Sequence, residues 1–141
     1  MTHTIVDRCR GCGLCKKTCP ADAIRGELRQ AHWIIPELCI DCGACGRVCA
    51  FSAVEKHING TVQQAVHVKS IYWQRPEWNR KACVGCNICA QTCPTGVIRA
   101  EKRNGRVGQT RYPYLADPQG CLGCAICADH CPLSAIHMVS R

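Results

Sequence analysis

Aromatic side chains are scarce in this chain: three tryptophans, three tyrosines and one phenylalanine among 141 residues. With cysteine set aside, apolar residues make up only about 35% of the sequence, well short of an ordinary globular domain. That leaves too little bulk for a large core, and small units of this kind depend on cross-links, metals or partners. No apolar run approaches the roughly 18 residues that span a bilayer, and Met1 to Cys9 contains neither a secretory h-region nor a twin arginine. These absences predict a cytoplasmic chain without membrane insertion. Nor does the sequence hold a nucleophile paired with a base, a phosphate-binding glycine loop or a nucleotide fingerprint. The chain is therefore expected not to be an enzyme by itself.

What the sequence has in abundance is cysteine, sixteen in all. In a reducing compartment such density reads as metal binding, not as a disulfide framework. The cysteines fall into four copies of one pattern, C-x2-C-x2-C-x3-C, and none is left over. The runs are Cys9, Cys12, Cys15, Cys19; Cys39, Cys42, Cys45, Cys49; Cys83, Cys86, Cys89, Cys93; and Cys121, Cys124, Cys127, Cys131. Proline follows the first, third and fourth runs, and Ala50 follows the second. Four residues beyond each run stands a small-then-branched pair, Ala23-Ile24, Ala53-Val54, Val97-Ile98 and Ala135-Ile136, which suits a short strand entering a thin core. Three thiolates on one tight loop can wrap three irons of a cubane. The fourth, beyond a short helical turn, points away and must serve another cluster.

This spacing resembles the bacterial two-cluster 4Fe-4S ferredoxins, in which the fourth cysteine of each run ligates the other cluster of a pair, and here the pattern occurs twice over. The resemblance implies four 4Fe-4S clusters: Cys9, Cys12, Cys15 and Cys49; Cys39, Cys42, Cys45 and Cys19; Cys83, Cys86, Cys89 and Cys131; and Cys121, Cys124, Cys127 and Cys93. Some four-cluster electron-transfer subunits instead pair their first motif with their last. The first interval between motif starts, 30 residues against 44 and 38 for the others, leaves room for one hairpin and favours sequential pairing.

The expected fold is α+β: two tandem ferredoxin-like two-cluster units, at 1–58 and 79–141, with short strands, short helices and hairpin insertions, joined by a linker over 59–78. Helices should lie between the third and fourth cysteine of each run. Asn59-Gly60 and Asn104-Gly105 read as hairpin turns, and Ala23 to Ile24 with His32 to Ile35 as short strands. The linker's partial alternation at Val62, Val66, Val68 and Ile71 suits an added strand. Its Trp73 and Trp78 either pack between the halves or, beside Arg75, Arg80 and Lys81, form an exposed anchor for a partner.

The formal net charge of +8 belongs to the metal-free chain. Each oxidised cluster with four thiolates carries about −2, so four of them bring the holoprotein near neutrality. The basic group Arg99, Lys102, Arg103, Arg106 and Arg111 is expected to be a solvated face that offsets the clusters of the second half, and nucleic-acid binding is not expected. Of the six histidines only His130, before Cys131, is expected near a cluster, as a hydrogen-bonding neighbour.

Four coordinatively closed one-electron centres imply a wire. The chain resembles the small polyferredoxin subunits of multi-subunit oxidoreductases, and is similar in size and motif pattern to the four-cluster electron-transfer subunit of tungsten-dependent aldehyde oxidoreductases. The partners so implied are a catalytic oxidoreductase subunit, of tungsten or molybdenum type, and a flavin subunit or ferredoxin, with self-association as a further route. A freely diffusing low-potential ferredoxin is the alternative, although such carriers are usually acidic. A zinc-binding or metal-storage module fits poorly, because three cysteines at this spacing crowd a single tetrahedral ion.

Overall fold

The computed structural model describes residues 2–104 and 109–140. It divides the chain into two compact units, Met1–Ser70 and Ile71–Arg141.

In the first unit the opening strand β1 (Thr2–Ile5) lies antiparallel to β4 (Val54–Ile58), with Ile5 opposite Val54. A short hairpin, β2 (Ile24–Arg25) and β3 (Trp33–Ile34), lies between them in sequence. Strand β5 (Thr61–Gln64) adds to β4 through Asn59 and Gly60, whose φ values of 47° and 79° make the turn with two left-handed residues that the Asn-Gly pair predicts. The second unit repeats the plan. Its first strand β6 (Arg75–Trp78) pairs antiparallel with its last, β9 (Ile136–Val139), placing Trp78 opposite Ile136. A longer hairpin, β7 (Ile98–Asn104) and β8 (Gln109–Leu115), fills the insertion. Its expected turn at Asn104-Gly105 lies partly outside the described residues.

Four short helices complete the units: α1 (Leu14–Thr18), α2 (Ala44–Val48), α3 (Ile88–Thr92) and α4 (Ile126–Asp129). Each starts one residue before the third cysteine of its run and stops before the fourth. None of the described helices is long and apolar enough to cross a membrane.

The second residue of each small-then-branched pair opens a strand, and all eight residues of these pairs are buried. Ile24 and Val54 form the first core with Cys45, and Ile98 and Ile136 form the second with Cys89 and Cys127. Cysteine thus occupies core positions that leucine would fill in a larger domain.

Segment 59–78, expected as a linker, is divided between the units. Residues 61–64 form β5, and Val68 N–H donates to the Arg47 carbonyl at 2.9 Å, so the chain wraps α2. Close approach is possible because Gly46 has no side chain: a Cβ there would fall onto the Cβ of Ala65. Residues 75–78 belong instead to the second unit. Gly46→Ala is expected to overpack this contact at a cost of about 1–3 kcal/mol. Hydrogen exchange should then quicken at the Ala65 and Val68 amides while β1 and β4 keep their protection; unchanged protection at both amides would show that the packing is looser than described.

Candidate metal centres

Each run bends around its second cysteine through two left-handed residues. The residue before it has positive φ at Gly11 (69°), Asp41 (60°), Gly85 (74°) and Gly123 (63°), and the residue after it at Gly13 (75°), Gly43 (71°), Asn87 (60°) and Ala125 (64°). Glycine, aspartate and asparagine tolerate this region; Ala125 carries a strain of about 1–2 kcal/mol there. Left-handed residues on either side of the cysteine curl the loop, and loops of this kind can form anion-binding concavities suited to a sulfur cluster.

Four recesses of similar size follow, each with about 310–350 Å³ of space free of protein atoms. One is lined by Cys9, Cys12, Cys15 and Cys49, and another by Cys39, Cys42, Cys45 and Cys19. In the second unit, Cys83, Cys86, Cys89 and Cys131 line one, and Cys121, Cys124, Cys127 and Cys93 the other. Every recess thus takes three cysteines from one run and the fourth from its sequence neighbour. None of the four joins the first run to the last.

Five of the thiols in these recesses resist ionisation. Burial, followed by neighbouring cysteines, pushes Cys15 up to about 11 and Cys45 up to about 12. Burial and the nearby Cys124 do the same to Cys127, again to about 12. Burial also raises Cys89 and Cys124. Cys93 runs the other way: burial opposes its ionisation, but the Thr95 hydroxyl at 3.6 Å and the backbone N–H groups of Thr95, Val97 and Ile98 outweigh it. Four mutually repelling sulfurs held this close call for a cationic centre, and a thiolate-rich, apolar-walled recess fits an iron-sulfur cubane.

After each run the chain makes the same turn. The N–H three residues beyond the last cysteine donates to that cysteine's carbonyl, at Asp22, Ser52, Gly96 and Ser134, and all four residues have positive φ. This sends the next N–H back at sulfur: Ala23 to Cys19 at 3.4 Å, Ala53 to Cys49 and Ala135 to Cys131 at 3.3 Å. The turn at Cys49 closes as the others do, so Ala50 in place of proline does not open it.

The histidines depart from expectation. The ring of His130 is bonded through Nδ1 to the Ile126 carbonyl at the end of α4 and lines none of the recesses. His3 and His32, both buried, line recesses in the first unit. His3 Nδ1 lies 2.8 Å from an Asp41 carboxylate oxygen, and burial lowers the His3 pKa despite that neighbour. His3, Asp41 and Cys39 lie together. As Cys39 lines the recess of its run, this group belongs to that recess. Alternation along β1 carries the signal for His3, which shares a face with Ile5. The His32 N–H reaches Cys9 sulfur at 3.5 Å, a contact that only the hairpin register reveals.

The exposed tryptophan anchor is not present. Trp73 is 7% exposed, and Trp78 packs on the core of the second unit. Arg75 is buried too, its guanidinium donating to the carbonyls of Pro118, Trp73 and Gln74. Small units lack apolar cover, and these long side chains supply it. Arg80 lies 6.0 Å from the Trp78 ring centroid and 5.8 Å from that of Tyr112. Of the basic group, Arg99, Lys102, Arg103 and Arg111 are exposed, and Arg106 lies outside the described residues.

No curated protein matches the chain. Among solved structures, a chain of the formate dehydrogenase–heterodisulfide reductase–formylmethanofuran dehydrogenase complex from Methanospirillum hungatei is similar at 19% identity and a TM-score of 0.44. The match covers 98% of this chain and 50% of that one, so the present chain spans about half of its length. Residues 8–54 and residues 82–135 each match a family described as a 4Fe-4S dicluster domain. Two such domains and sixteen cysteines fit four 4Fe-4S clusters, and both halves of this chain belong to the 4Fe-4S dicluster ferredoxin domains.

Proposed function

We propose that the chain is a non-catalytic electron-transfer subunit that joins a catalytic oxidoreductase subunit to a flavin subunit or ferredoxin through four 4Fe-4S clusters. The observation that carries this reading is the make-up of the recesses, each taking its fourth cysteine from the neighbouring run of the same unit. The proposed ligand sets are Cys9, Cys12, Cys15 and Cys49; Cys39, Cys42, Cys45 and Cys19; Cys83, Cys86, Cys89 and Cys131; and Cys121, Cys124, Cys127 and Cys93. A 4Fe-4S cluster supplies one-electron storage with four cysteine thiolates filling its protein positions, so no site is left for a substrate.

The protein's part is to place the sulfurs and to limit water. Within each unit the third cysteines of the two runs meet at one core: Cys15 beside Cys45 with Ile24 and Val54, and Cys89 beside Cys127 with Ile98 and Ile136. Paired clusters would therefore face each other across sulfur and aliphatic carbon. At the opposite end of the path, Cys12 and Cys86 are exposed, at matching positions in the two units. Exposed Leu14 and Phe51 line the recess of Cys12, and exposed Val84 and Leu133 that of Cys86. An exposed thiolate ringed by apolar groups suits a docked donor or acceptor. The resemblance noted from the motifs makes a tungsten or molybdenum enzyme the proposed catalytic partner.

Two outcomes test this reading. Cys49→Ser and Cys12→Ser are expected to perturb the same electron paramagnetic resonance signal of the reduced protein; if Cys49→Ser instead tracks Cys124→Ser, the ligand sets are wrong. Anaerobic affinity capture from the native cells should recover a brown protein with about sixteen irons per chain, as four cubanes require, together with a large cofactor-bearing chain. Recovery of the brown protein alone would overturn the subunit role in favour of a freely diffusing ferredoxin.

A further inference from the structure

The two units hold their first recesses in the same way but differ in where hydrogen bonds to sulfur come from. Strand register makes the comparison position by position. Ile5 faces Val54 in the first unit as Trp78 faces Ile136 in the second. In the hairpins, Ile24 pairs with Ile34 as Ile98 pairs with Leu115, and two residues before those partners stand His32 and Pro113. Ile35 N–H to the Ala23 carbonyl and Ala116 N–H to the Val97 carbonyl, both 2.8 Å, fix the same alignment. Ile5 and His32 line the recess of Cys9, Cys12, Cys15 and Cys49; Trp78 and Pro113 line that of Cys83, Cys86, Cys89 and Cys131.

In the first unit, the backbone N–H of His32 reaches Cys9 sulfur while Ile5 offers no donor. In the second unit, Pro113 has no N–H to give. A cluster there would lose that hydrogen bond. The missing donor is found on the other wall. The indole nitrogen of Trp78 is buried and has no hydrogen-bond partner among the described residues. It belongs to the wall that holds Cys89, and the Trp78 ring packs on the core to which Cys89 contributes. A buried N–H left without an acceptor is costly, so its place beside a ligand sulfur is a signal. Trp78 is the one tryptophan that lines any of the four recesses.

We propose that Trp78 is a positioning residue whose indole N–H donates to the Cys89 sulfur of the cluster held by Cys83, Cys86, Cys89 and Cys131, replacing the backbone donor that Pro113 removes and raising that cluster's reduction potential. The inference rests on the ligand set given under Proposed function. A donor to a ligand sulfur stabilises the more negative, reduced state, so it raises the potential.

Trp78→Phe keeps the ring and deletes the N–H. In the full-length holoprotein, titrated anaerobically with dithionite and followed by electron paramagnetic resonance, one of the couples is expected to move to lower potential. At a fixed ambient potential its reduced-to-oxidised ratio should fall several-fold; a tenfold fall corresponds to 59 mV for a one-electron couple. Iron content and the other couples should hold. Trp33→Phe removes an exposed indole that lines no recess and should move none. Unmoved couples in Trp78→Phe at full iron would overturn the proposal. Should that variant fail to load, wild-type protein labelled with ¹⁵N at the indole decides: pulsed resonance of the reduced clusters shows a ¹⁵N coupling if the hydrogen bond exists, and its absence overturns the proposal. Failure of the ligand set is separately visible, because Cys131→Ser would then perturb a different signal from Cys83→Ser.

Discussion

Sulfur crowding is the constraint on which this structure depends. Each recess gathers four cysteines, and in the better-buried ones low polarity and neighbouring sulfurs drive the thiols far from ionisation. The aliphatic core of each unit amounts to a pair of branched side chains with cysteines between them. Removing the charge that binds the thiolates would leave a thin core and a set of thiols that cannot ionise together. Metal binding and folding are therefore a single equilibrium in such a chain, as in other small metal-held domains.

The exchange of the fourth cysteine gives that equilibrium its topology. Cys49 closes the recess of Cys9, and Cys131 that of Cys83, so one recess in each unit ties the start of its first run to the end of its second. The pairing of each unit's opening strand with the strand that follows its second run, β1 with β4 and β6 with β9, makes the same tie in hydrogen bonds. Two independent closures, one through sulfur and one through the backbone, hold a unit whose helices are four or five residues long. Neither closure suffices alone: an isolated pair of short strands is marginal in water, and helices this short do not persist without tertiary contacts.

Much of this was legible in the sequence, and the reason is local chemistry. Cysteine spacing marks the loops and the helices, small-then-branched pairs mark the strand starts, and Asn59-Gly60 marks its turn. What escaped was set by contacts distant in sequence. His32 reaches Cys9 through a hairpin register that no spacing encodes, and the alternation that buries His3 does not say which recess it meets. For Trp73, packing and exposure both stayed open because it sits among polar residues, and a unit short of apolar mass folds it and Arg75 inward. The segment 59–78 read as a linker because nothing in it announces that Gly46, in another element, leaves room for Ala65. His130 stands next to a ligand in sequence but points its ring to the carbonyl of Ile126.

The nesting of each unit within its own stretch of chain also bears on how the protein is made. The first recess cannot close until residue 49 has been synthesised, and β1 has no partner until β4 follows it. Once those residues have left the ribosome, everything that the first unit's recesses require is present before the second unit is complete. Cluster insertion can thus proceed in two rounds, with the first unit filled while the second is still being built. A crossed arrangement would have kept the earliest cysteines waiting, exposed to oxidation, for the whole length of the chain.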